Sequence, residues 1–83
     1  MAIGDIATAQ EECRVCLRKW RVAAEELGAL IEDASQYSSE AFDQSVNDRM
    51  PELHRRTMAF LARLSIMMQI KRELESEERA NAT

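Results

Sequence analysis

From Ile6 onward the apolar residues fall at steps of three and four without a break: Ile6, Ala9, Cys13, Cys16, Trp20, Ala23, Leu27, Leu30, Ala34 and Tyr37. A half-buried strand alternates with a period of two, whereas this spacing lines up one stripe on an α-helix. Leu17, Ala24 and Ile31 widen the stripe on one side, and Glu12, Lys19, Glu26 and Asp33 occupy a polar flank. The pattern predicts a helix over about residues 5–36, roughly 48 Å long at the helical rise. Gly28 falls at an outward position, where glycine costs about 1 kcal/mol relative to alanine but leaves the helix intact.

Composition agrees with long helices. Two glycines and one proline in 83 residues exclude collagen-like, linker-like and turn-rich all-β chains. Apolar types make up 46% and charged types 31%, too apolar for a disordered tail. No run approaches the roughly 18 apolar residues of a membrane span. The opening residues lack a basic segment followed by an apolar core, so neither a signal peptide nor a transit peptide is expected, and the expected location is cytoplasmic.

Between Ser35 and Asp48 the composition shifts to four serines, an asparagine and three acids. Such side chains bond to nearby backbone and favour turns and helix starts, so the chain reverses here. Phe42 and Val46, four apart, allow a short helical turn over about 39–46. Asn47 or Asp48 is the expected N-cap of a second helix, with Pro51 in its first turn. That helix is predicted over about 49–79, with fraying from Ser76 to Thr83. Its stripe is Met50, Leu53, Thr57, Phe60, Leu64, Met67, Lys71 and Leu74, with Leu61 and Met68 beside it. From Met58 to Ile70 only Arg63, Ser65 and Gln69 are strongly polar, so the helix is apolar around much of its circumference and needs more than one neighbour.

The reading is therefore an all-α chain, a single domain over residues 1–83 forming an antiparallel helical hairpin. A reversal centred near Phe42 pairs residue i with roughly residue 84 − i. Trp20 then faces Leu64, Leu27 faces Thr57 and Cys13 faces Lys71. Glu25 and Glu32 approach Arg55 and Arg56, and Glu11 and Glu12 approach Lys71 and Arg72. A lone hairpin of this size buries too little surface, so the bundle is expected to be completed by oligomerisation or by a partner's helix. The expected interface residues are Val15, Trp20, Val22, Phe60, Leu61, Leu64, Ile66, Met67, Met68 and Ile70. Methionine-rich faces adapt to irregular partners.

The residues offer little for catalysis. Cys13 and Cys16 form the only Cys-x-x-Cys, but both lie on the buried stripe inside a helix rather than at a helix start, so packing is their expected role. With His54 as the only imidazole, no four-ligand zinc set exists. His54 also lacks a partnered nucleophile or acid, and no phosphate-binding loop is present. No enzyme activity, metal or cofactor is expected. Arg14, Arg18, Lys19 and Arg21 form a basic patch bracketed by acids. A net charge of −4 makes nucleic acid an unexpected partner, although a homodimeric regulator using that patch is the alternative reading. The favoured function is a protein–protein interaction module: an assembly subunit, an adaptor or a small chaperone.

Overall fold

A computed structural model describes residues 2–82. Helix α1 spans Ala2–Glu32, a single 3-10 turn covers Ala34–Gln36, and helix α2 spans Ser39–Ala82. The two long helices pack antiparallel along one another, and the described residues contain no strand. The molecule is a rod of 66 × 18 × 16 Å. Its long dimension is that of α2, since 44 residues at 1.5 Å each give about 66 Å.

The stripe on α1 is where the sequence places it. Ala9, Cys13, Ala23 and Leu30 are buried, with Ile6, Cys16, Trp20, Leu27 and Ala34 half-buried between them. Three of the four buried side chains are small, which lets the helices approach closely but encloses little apolar volume. Tyr37, the last residue of the predicted stripe, is exposed instead, because the helix has already ended.

The reversal is shorter and earlier than expected. It is confined to Asp33–Ser38, tied by bonds from the Gln36 amide to the Asp33 carbonyl (2.9 Å) and from the Tyr37 amide to the Ala34 carbonyl (3.2 Å). Tyr37 is extended, and Ser38 caps α2: its Oγ accepts from the Ala41 amide at 3.1 Å. Glu40 adds a negative charge in the first turn, where the helix dipole favours it. The cap is therefore Ser38, not Asn47 or Asp48, and the expected connection over residues 37–48 is mostly helix.

Pro51 lies inside α2 rather than in its first turn. It lacks the N–H that would bond the Asn47 carbonyl, a cost of about 3 kcal/mol in a helix interior. Pro51 and Asn47 are both exposed, so the freed carbonyl is open to water. Val46 and Leu53 on either side are half-buried, so packing on α1 spans the break. The predicted fraying tail is helical through Ala82, and Thr83 lies outside the described residues.

Moving the turn shifts the register by about two helical turns. Trp20 Nε1 donates to Thr57 Oγ1 at 2.9 Å, and that hydroxyl donates onward to the Leu53 carbonyl at 2.8 Å. Arg56 donates to the Lys19 carbonyl at 2.8 Å, and Arg63 reaches Glu12 at 3.5 Å. These contacts pair residue i with roughly residue 76 − i, one residue more or less, as antiparallel packing requires. The expected pairings of Trp20 with Leu64, Leu27 with Thr57 and Cys13 with Lys71 are thus corrected. So are the ion pairs. Glu11 holds Arg14 and Arg18, and Glu52 holds Arg55 and Arg56 within α2, in place of Glu25 and Glu32.

Candidate functional site

The hairpin has two open faces, and their chemistry differs. On one, a groove between the helices is lined by Gln10, Cys13, Arg14, Leu17, Phe60, Leu64 and Met67, and it is mostly apolar. Helical spacing extends this surface along both helices. On α1, Ala24 and Ile31 follow Leu17 at successive heptads. On α2, Leu61 and Met68 sit three before and four after Leu64, and Met50 lies two heptads before it. Ile31 is 58% exposed, and Met50, Leu61 and Met68 are each 44–48% exposed. By spacing these residues share the groove's side of the hairpin over about 35 Å of its 66 Å length.

The opposite face carries depressions lined by Glu11, Glu12, Val15, Cys16, Lys19 and Arg63, and by Cys16, Lys19, Arg56 and Ala59. Arg56 spans it, holding Glu52 at 2.6 Å with Nε while Nη1 bonds the Lys19 carbonyl. Arg63 spans it again to Glu12. On this side the seam between the helices is closed by polar groups of the chain itself.

The expected interface residues divide between these surfaces. Trp20 lies half-buried between the helices, tied to Thr57. Phe60, Leu64 and Met67 line the apolar groove, with Leu61 and Met68 exposed at its edge. Val15 is on the polar face beside Lys19. Ile66 and Ile70, three and seven residues after Arg63, share that side, with Ile66 exposed and Ile70 half-buried. Val22 is 50% exposed and lines neither the groove nor the depressions. The ten residues are therefore not one surface. Gln10, Cys13, Arg14 and Leu17 also line the groove and lie outside that set; the widening of the α1 stripe by Leu17, Ala24 and Ile31 is the sequence signal for Leu17.

The corrected register sets Arg14, Arg18, Lys19 and Arg21 of α1 level with Arg55, Arg56 and Arg63 of α2, with Arg14 on the apolar groove and Arg56 and Arg63 across the opposite face. Among the described residues, Arg14 and Arg18 share Glu11, whereas the side chains of Lys19 and Arg21 form no ion pair.

Both cysteines are free thiols. Burial, then the neighbouring Cys16 and Glu12, push the Cys13 thiol above its ordinary value of 9.0, opposed by Arg63. It stays protonated and unreactive at neutral pH. His54 is exposed, and no group of three or more Cys, His, Asp or Glu converges on one point among the described residues. No helix there is long and apolar enough to cross a membrane.

Comparison with protein-family models, with curated proteins and with solved structures yields no match.

Proposed function

We propose that this chain is a non-enzymatic, cytoplasmic protein–protein interaction module, an assembly subunit, adaptor or small chaperone whose apolar face docks a complementary helical surface. One observation carries the reading: among its described side chains, 44-residue α2 has none that is buried, while Met50, Met58, Leu61, Ile66 and Met68 are all exposed. A helix with that distribution has packed one side only. Scattered exposed apolar residues are ordinary, but Leu61, Leu64 and Met68 continue an apolar groove shared with Leu17, and contiguous patches of that kind mark interaction sites.

Complexes held by this face should persist in 0.5 M NaCl and be lost with Leu61→Glu/Met68→Glu. A second reading, nucleic-acid binding, is favoured by the basic residues of both helices that fall at one level of the rod. Complexes that dissociate steeply with salt and depend on Arg18 and Lys19 would support it instead.

A further inference from the structure

Charge is segregated along the rod. Residues 22–48, which form the turn-proximal third, contain Glu25, Glu26, Glu32, Asp33, Glu40, Asp43 and Asp48 and no Lys, Arg or His. None of these seven acids forms an ion pair among the described residues. Residues 49–54, level with 22–27 in the antiparallel register, add Arg49 and Glu52, and the next band, residues 14–21 with 55–63, contains seven Lys and Arg and no acid, with Arg14, Arg18, Arg55, Arg56 and Arg63 held by Glu11, Glu12 and Glu52. An acidic tip of formal charge −7 thus adjoins a basic girdle of +7, and the open end is acidic again.

We propose that the occupant of the apolar face is a second copy of this chain, antiparallel and half-overlapped, with the tip of each copy lying on the girdle of the other. This rests on the interaction reading above and names its partner. Full overlap in either direction sets tip against acidic end or tip against tip. Half-overlap matches opposite charges twice through one two-fold axis, giving a closed dimer rather than a filament. With the axis near Ala24 and Leu53, exposed Ile31 of one copy lies about 10 Å from the axis, level with Leu17 and Leu61 of the other. Asp43 and Arg14, about 15 Å from the axis on opposite sides, come level in the same way.

The surface area leaves room for it. A folded monomer of 9.5 kDa exposes about 5,000 Å², and this chain exposes 6412 Å², an excess of about 1,400 Å². A standard interface removes about 800 Å² per partner.

The test is sedimentation equilibrium on the full chain with two charge-reversed variants, each first checked for helix content by circular dichroism. The girdle variant is Arg14→Glu/Arg21→Glu, and the tip variant is Glu40→Lys/Asp43→Lys. Each alone should dimerise at least tenfold more weakly than the unaltered chain. Mixed in equal amounts they should recover its dimer affinity within threefold, because acid again meets base at both ends. An unaltered chain that dimerises through Leu61 and Met68, with a mixture no tighter than either variant, would overturn the half-overlap and leave the interaction reading standing. A dimer indifferent to Met50→Glu/Leu61→Glu would overturn both. A helical monomer that instead binds a single-stranded RNA oligonucleotide, with loss in the girdle variant, would overturn the second copy in favour of nucleic acid.

Discussion

The two open faces of the hairpin are built from the same two helices, yet only one is closed by the chain's own polar groups. On the Lys19 side, Arg56 and Arg63 cross the seam to the Lys19 carbonyl and to Glu12. On the Leu17 side no described ion pair crosses, the Trp20–Thr57 bond lies half-buried between the helices, and Leu17, Phe60, Leu64 and Met67 meet across an open groove. A guanidinium that reaches a backbone carbonyl fixes register whether or not anything else binds. An open apolar groove gains only when something covers it. The first face therefore serves the fold, and the second is available for association.

The sharpest way to break this comparison is to charge each face in turn. Met50→Glu/Leu61→Glu should weaken self-association at least 100-fold, about 2.7 kcal/mol, by placing carboxylates in the contact. Val22→Glu/Ile66→Glu, equally exposed in the hairpin, should change it less than threefold. Equal effects from both pairs, measured by analytical ultracentrifugation, would erase the distinction between faces.

The cysteines report on the same contrast. Cys13 borders the apolar groove and is buried, while Cys16 borders the polar face and is half-buried. At neutral pH a maleimide should modify Cys16 at least tenfold faster, read by peptide mapping. Because the folded Cys13 pKa lies above its unfolded value, this thiol stabilises the fold below pH 9.0 and loses that contribution as pH rises further. Urea melts between pH 8 and pH 10.5 should decline, and less so for Cys13→Ser.

Removing the polar crossing itself should cost less. Arg56→Ala should destabilise the hairpin by about 1 kcal/mol, the usual net worth of one such hydrogen bond. The Arg63–Glu12 pair, about half-exposed on both sides, should contribute at most about 0.5 kcal/mol in a double-mutant cycle. The smallest effect has the opposite sign. A Cβ added at Gly28 meets open space, so Gly28→Ala should stabilise α1 by about 0.5–1 kcal/mol in a thermal melt.

Much of the architecture was legible in advance. The stripe from Ile6 to Ala34 predicts which side of α1 is covered, because periodicity encodes a face directly. The turn did not follow from composition, since the serine-rich stretch suits either a loop or a helix start. Ser38 followed by Glu40 was the helix-start signal, and Phe42 with Val46 already had helical spacing. Pro51 misled because its preference for a first turn is a local tendency. Packing of Val46 and Leu53 against α1 carries the helix through it.

The position of the turn sets the register, and the register sets the site. Periodicity assigns residues to a face but leaves sliding along the axis undetermined, and charge matching was satisfied by the wrong register. Only the Trp20–Thr57, Arg56–Lys19 and Arg63–Glu12 contacts fix it, and they set Arg14, Arg18, Lys19 and Arg21 level with Arg55, Arg56 and Arg63. The exposed apolar residues were recognisable as a set, but their division between two faces needed the groove geometry.

The central claim is that this hairpin associates through its apolar face, and sedimentation equilibrium of the unaltered chain from 1 to 100 μM tests it most directly. The account predicts a mass approaching twice 9.5 kDa as concentration rises, with the transition displaced by Met50→Glu/Leu61→Glu. A helical, cooperatively melting species that stays at 9.5 kDa across the whole range would contradict it.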